Sequence, residues 1–142
     1  MYETLVLSIL LYNAETWTLM EKQKQRLRVF EMACLRRIEG VTRRDKIRRN
    51  EEICSRLNIR CGIIDRIQNK RLRYFGHLTQ MQDGRYPKIA CNSYVHGVRN
   101  RGRPKKRWID VIKEGCKELN MTLQEATYLM RDRRVWRVTN HR

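Results

Sequence analysis

Wherever apolar residues in this chain form a pattern, they recur at spacings of three and four. Leu27, Phe30, Cys34 and Ile38 make one such stripe, and Trp108, Ile112, Cys116 and Leu119 make another. Ile64, Ile67, Tyr74, Leu78 and Met81 make a third, interrupted by Arg71. That period is one face of an α-helix and does not suit a strand, whose faces alternate every second residue. Leu5 to Asn13 is nearly all apolar and predicts a first, buried helix. Thr18 stands three residues before Glu21, and Thr122 three before Glu125; both pairs predict capping boxes. Asn50 before Glu51 and Glu52 predicts another helix start, with Ile53 and Leu57 as its buried edge. Gly40 predicts a helix stop. Gly76 inside the long 63–81 helix costs about 1 kcal/mol relative to Ala and points to close packing or a bend.

Asp83-Gly84 and Pro87 break the periodicity, and residues 88–95 have strand propensity but are divided by Asn92-Ser93. At most a short β-hairpin fits there. Residues 97–107 are read as a basic loop, with a helix expected to start near Pro104 within its last residues. The fold expected is therefore mainly α: a helical bundle with room for one short hairpin and a basic loop.

Charge narrows the partners. Across 142 residues, 32 Lys and Arg outweigh 15 Asp and Glu, leaving a net charge of +17. Such an excess repels itself and calls for a polyanion, most simply nucleic-acid phosphates. Residues 1–20 hold no Lys or Arg, whereas 43–60 and 99–107 are dense in them. The opening helix is thus expected to pack on protein and the rest to face the ligand.

Several chemistries lack their residues. Two-metal catalysis needs converging carboxylates, yet Asp45, Asp65, Asp83, Asp110 and Asp132 are scattered among basic neighbours. Cys91 with His96, and Cys54 with Cys61, have no matching second knuckle, so no zinc site is expected. His77 and His141 have no evident nucleophile beside them. Five cysteines without tight spacing predict reduced, intracellular thiols. The apolar run at 5–12 is too short to cross a bilayer.

Arg101, Gly102, Arg103 and Pro104 can lie extended, since Pro104 biases Arg103 away from helix. This segment resembles the core of an AT-hook, which would place guanidinium groups in an A·T-rich minor groove. The other reading is a phosphate clamp of Arg101, Arg103, Lys105, Lys106 and Arg107, with the dipole of the following helix behind it. Sequence-independent phosphate contact is the default, so the clamp is preferred. Pro104-Lys-Lys-Arg107 also has the form of a nuclear import signal.

Six phrases in order carry a resemblance over nearly the whole chain. They are Leu10-Leu-Tyr-Asn-Ala-Glu-Thr-Trp17, Phe30-Glu-Met-Ala-Cys-Leu-Arg-Arg-Ile38, Asn50-Glu-Glu-Ile53, Arg71-Leu-Arg-Tyr-Phe-Gly-His-Leu78, Gly102-Arg-Pro-Lys-Lys-Arg-Trp-Ile-Asp110 and Asp132-Arg-Arg-Val-Trp-Arg137. Together they resemble the carboxy-terminal end of the endonuclease–reverse transcriptases of non-LTR retrotransposons. Asn13 stands where that pattern has Gly, and Gln80 where a basic residue is common. The resemblance implies a thumb-like helical pair over 1–40, a basic helical segment over 41–86, and the basic loop with C-terminal helices over 87–142. It implies no cofactor in this chain, because magnesium would belong to a palm upstream. It also implies RNA, DNA and the upstream polymerase domains as partners, with no membrane and no small-molecule substrate. An intracellular, nuclear protein with a cytoplasmic ribonucleoprotein stage is expected. A thumb grips backbone with Arg, Lys and a few aromatics, so Arg71, Arg73, Tyr74 and His77, clustered near one helical turn, form a second candidate contact site. Tyr74 equally suits the core. The alternative function is a free-standing DNA-binding or chromatin-associated protein using Arg-Gly-Arg-Pro.

Overall fold

In the computed structural model, which describes residues 2–42, 49–93, 106–130 and 132, the apolar stripes form helices, with no strand among the described residues. A π-helical turn, Tyr2–Leu7, runs into a short α1, Ser8–Leu10, and a 3-10 turn follows at Ala14–Thr16. Six further helices are α2 (Glu21–Glu39), α3 (Asn50–Arg56), α4 (Ile63–Gln80), α5 (Tyr86–Asn92), α6 (Trp108–Glu118) and α7 (Leu123–Leu129). The mainly α expectation holds. The chain groups into two compact units, residues 1–14 with 19–68, and residues 15–18 with 69–142.

The helix starts follow local chemistry, in two cases displaced from the expected residue. At α7 the capping box forms as predicted: Thr122 Oγ1 accepts the Glu125 N–H at 3.2 Å, and Glu125 Oε2 accepts the Thr122 N–H at 2.8 Å. At α2 the N-cap is Met20 rather than Thr18, and Gln23 Oε1 accepts the Met20 N–H at 2.8 Å. Glu21 forms an ion pair with Lys24 at 3.3 Å instead of reaching back to a cap. Asn50 is the first residue of α3, not its cap, because its side-chain oxygen accepts from Arg36. The stretch that left room for a hairpin is helical from Tyr86 to Asn92. Pro87 lies in the first turn, where its missing N–H leaves no helical bond unmade, so it opens α5 instead of ending order. Residues 94 and 95 of that stretch lie outside the described residues.

Three helices end alike. Gly40, as predicted, takes a left-handed conformation with φ of 72°. Asn58 and Asn120 do the same after α3 and α6, with φ of 54° and 56°. In each case the left-handed residue and its successor donate back to carbonyls of the last turn. Asn58 donates to Ser55 and Ile59 to Cys54, and Asn120 donates to Lys117 and Met121 to Cys116. These bonds satisfy carbonyls that a helix end otherwise leaves open.

In the first unit Tyr2, Leu7, Ala14, Leu35, Ile53, Ile63 and Ile67 are buried. The first helix is not buried all round, as expected, but turns Leu5, Ile9 and Tyr12 to solvent. The inward edge of α2 is also rotated from the predicted stripe: Phe30 and Ile38 are exposed, while Glu31 and Leu35 are buried. Glu31 tolerates burial because it closes the start of α4. Its Oε1 and Oε2 accept the Ile63 N–H at 3.0 and 3.2 Å, and Oε1 also accepts the Tyr2 hydroxyl at 3.2 Å. A carboxylate at a helix amino end meets the positive pole of the dipole there.

The core of the second unit is Leu72, Phe75, Ile112, Cys116, Ala126 and Met130, with Trp108, Leu119, Met121 and Leu129 packed around it. The Trp108–Ile112–Cys116–Leu119 stripe thus faces inward as its spacing predicts. Gln80 Nε2 donates to the Met130 carbonyl at 2.5 Å, tying α4 to the end of α7.

Candidate nucleic-acid interface

The α4 candidates divide by helical geometry. Arg73 and His77, four residues apart and so on one side of the helix, are both exposed. Among the described residues neither side chain has a hydrogen bond or ion pair. Arg71 is only 1% exposed, so its guanidinium offers no surface to a ligand. It belongs to the buried stripe that its residue type appeared to interrupt. Burial pushes its pKa below the usual arginine value, with the Glu114 carboxylate opposing that shift. Tyr74 is half-buried, its ring edge-on to Trp108 with centroids 5.9 Å apart. Trp108 in turn donates its indole N–H to the Glu15 carbonyl at 2.7 Å. Tyr74 therefore serves packing first, and the exposed pair Arg73 and His77 is what α4 presents.

Of the basic loop, Arg101, Gly102, Arg103, Pro104 and Lys105 lie outside the described residues. Lys106 and Arg107 form the described foot of the loop, and α6 begins at Trp108, later than Pro104. Both cations have acidic neighbours. Lys106 Nζ meets Glu114 at 2.5 Å, and Arg107 Nε meets Asp110 at 3.5 Å. Asp110 Oδ2 also accepts the Arg107 N–H at 3.0 Å. That backbone bond, aided by the Arg107 side chain, holds the Asp110 carboxyl below its ordinary range. The amino end of α6 thus already carries one anion of its own.

No group of three or more His, Cys, Asp or Glu side chains that could hold a metal ion occurs among the described residues. Burial pushes the Cys54, Cys61, Cys91 and Cys116 thiols up, which favours the protonated, unreactive form at neutral pH. No described helix is long and apolar enough to cross a membrane.

Sequence reasoning missed two features of this surface. Phe30 falls on the apolar stripe expected in the core, yet it stands in solvent on α2. The cations of α2 divide into a paired set and an unpaired set, which only side-chain positions reveal. The helical wheel of α2 held a clue, since Phe30 shares its side of the helix with Arg26 and Arg37.

No family model matches the chain. It is similar to a Caenorhabditis elegans protein described as transposon-derived and uncharacterized, with 25% identity over 118 residues. The match covers 80% of this chain and 42% of that relative, so the chain spans about two-fifths of its length. No solved structure matches.

Proposed function

We propose that this chain is a non-catalytic, nucleic-acid-binding part of a transposon-encoded reverse transcriptase, gripping template RNA or a template–primer duplex through backbone phosphates. The observation that carries the reading is the net charge of +17 on a small helical chain. A polyanion offsets that charge, and phosphate contacts do so without reading sequence. The transposon-derived relative supports a mobile-element setting, and the resemblance of the six phrases supports the polymerase context. The contacts proposed are Arg73 and His77 on α4 and the cations from Arg101 to Arg107. The partners are RNA or DNA together with polymerase domains of the same protein, to which a catalytic magnesium would belong.

Filter binding of the chain to A·T-rich DNA, G·C-rich DNA and an RNA–DNA hybrid tests this. Replacing Arg101 and Arg103 by Ala is expected to weaken all three by a similar factor. On B-DNA the slope of log affinity against log salt should fall by about 0.9 for each phosphate that the variant no longer neutralises. A loss confined to A·T-rich DNA would replace the clamp by a minor-groove hook. The purified chain is expected to show neither primer extension nor nicking with Mg²⁺ or Mn²⁺. Activity abolished by Asn at Asp65, Asp83 or Asp110 would overturn the non-catalytic assignment.

A further inference from the structure

α2 carries a solvent-facing stripe that none of the candidate contacts includes. Lys22, Arg26, Phe30, Ala33 and Arg37 are all exposed, and their spacings of four, four, three and four put them on one side of the helix. At 3.6 residues per turn they fall within an arc of about 80°, and Lys22 and Arg37 stand about 22 Å apart along the axis. Three carboxylates of the same helix point elsewhere. Glu21 pairs with Lys24 and Arg28, Glu31 is buried on the Ile63 N–H, and Glu39 pairs with Arg56. The side chains of Lys22, Arg26 and Arg37 have no acidic or hydrogen-bonding partner among the described residues. The stripe is thus cationic without internal neutralisation. It holds one aromatic ring, Phe30, at 44% exposure between Arg26 and Arg37.

A phenylalanine left in water loses the benefit of burial, and here the loss is coupled to flanking cations with nothing to neutralise them. Those two facts match one ligand chemistry. A nucleic-acid strand brings phosphates for Lys22, Arg26 and Arg37, and an unstacked base brings a flat apolar face for Phe30. A duplex satisfies only the cations, because its bases are stacked on one another and present edges. An acidic peptide supplies carboxylates but covers Phe30 only where it also places an apolar side chain in register, whereas every nucleotide of a single strand brings both a phosphate and a flat face. We propose that the Lys22–Arg26–Phe30–Arg37 face of α2 is a binding site for single-stranded nucleic acid, with a base stacked on Phe30 and the flanking phosphates held by the three cations. This rests on the nucleic-acid reading above and adds to it a second site with a strand preference.

The test uses the full chain with a fluorescein-labelled oligouridylate and a blunt RNA duplex of equal length, followed by anisotropy. Phe30→Ala should weaken oligouridylate binding roughly tenfold, within the range for loss of one stacking ring, and change duplex binding less than about twofold. Phe30→Trp should restore the single-strand affinity, and Phe30→Leu, which keeps apolar volume and protects the fold, should not. Arg26→Ala/Arg37→Ala should lower the salt slope for the single strand by about 0.7 for each cation removed. Equal losses on both probes with Phe30→Ala, or full affinity with Phe30→Leu, would overturn the stacking site. Displacement of oligouridylate by polyglutamate as readily as by unlabelled oligouridylate would overturn it in favour of an acidic protein partner. Wild-type chain that binds neither probe would overturn the nucleic-acid reading itself. Wild-type binding that Phe30→Ala leaves unchanged would remove only this site.

Discussion

At the scale of single residues, two side chains decide more than their type suggests. Glu31 joins Tyr2 and the first turn of α4 through bonds of 3.0 to 3.2 Å. Glu31→Ala leaves a buried N–H and a buried hydroxyl unsatisfied and is expected to cost about 3 kcal/mol in urea unfolding, with Glu31→Gln costing less. A loss below about 0.5 kcal/mol would show that water replaces the carboxylate freely. The Tyr2 hydroxyl gives the same contact a pH signature. Burial, helped by the Glu31 charge, raises its pKa well above the ordinary 10.0. A raised folded-state value means that the stability is fully present below pH 10 and declines as pH rises beyond it. Wild type should therefore lose stability there more steeply than Tyr2→Phe, measured by thermal unfolding against pH. Asn13 is the third informative residue. Its φ of 53° is left-handed, at the position where the resembled family has Gly. Asn is among the few side chains tolerated there, and Asn13→Gly should be neutral or stabilising by up to about 1 kcal/mol.

At the scale of elements, the ends of the helices show which signals were legible. The Thr122–Glu125 box and the Gly40 stop could be read from residue type because both are local: side chain and backbone lie within one turn. The Asn58 and Asn120 stops were equally local, and the signal was an Asn directly after an apolar-periodic run. Asn58→Ala and Asn120→Ala should each cost about 1 kcal/mol, because a Cβ without a compensating polar group is strained in that conformation. Unchanged unfolding midpoints would show that the helix simply frays there. The carboxylates at helix starts predict an acid limit. Backbone N–H bonds hold Asp110 and Glu125 below their ordinary values of 3.8 and 4.5. Depressed folded-state values mean stability that is present above those figures and lost as pH falls through the lowered ones. Helical circular dichroism should therefore decline on acidification below about pH 4, and Glu125→Gln should flatten that decline.

At the scale of the whole molecule, the net charge of +17 sets the behaviour. Self-repulsion weakens as salt screens it, so thermal stability in the absence of ligand should rise between low and moderate salt while nucleic-acid affinity falls. A chain that loses stability and affinity together as salt rises would instead depend on its own ion pairs, such as Arg66–Glu3 at 2.6 Å. The two compact units each own part of this charge. The first carries the α2 stripe, and the second carries Arg73, His77 and the foot of the basic loop. Substitutions that share no partner should shift the binding free energy additively.

Residue type and order alone made legible the helical class, the basic character, the Gly40 stop and the Thr122–Glu125 cap. These follow from period, composition and local bonding, all of which are properties of neighbouring residues. Tertiary structure alone decided which way each stripe faces. Phe30 and Glu31 are adjacent, and a rotation of about 100° between them exchanges core for solvent. Hydropathy favours burying Phe30, yet the distant Ile63 N–H and Tyr2 hydroxyl need an acceptor, and meeting that need turned Glu31 inward. Arg71 likewise interrupts the α4 stripe by residue type and is nonetheless buried within it. Both outcomes depend on partners far along the chain, which the spacing of apolar residues does not encode.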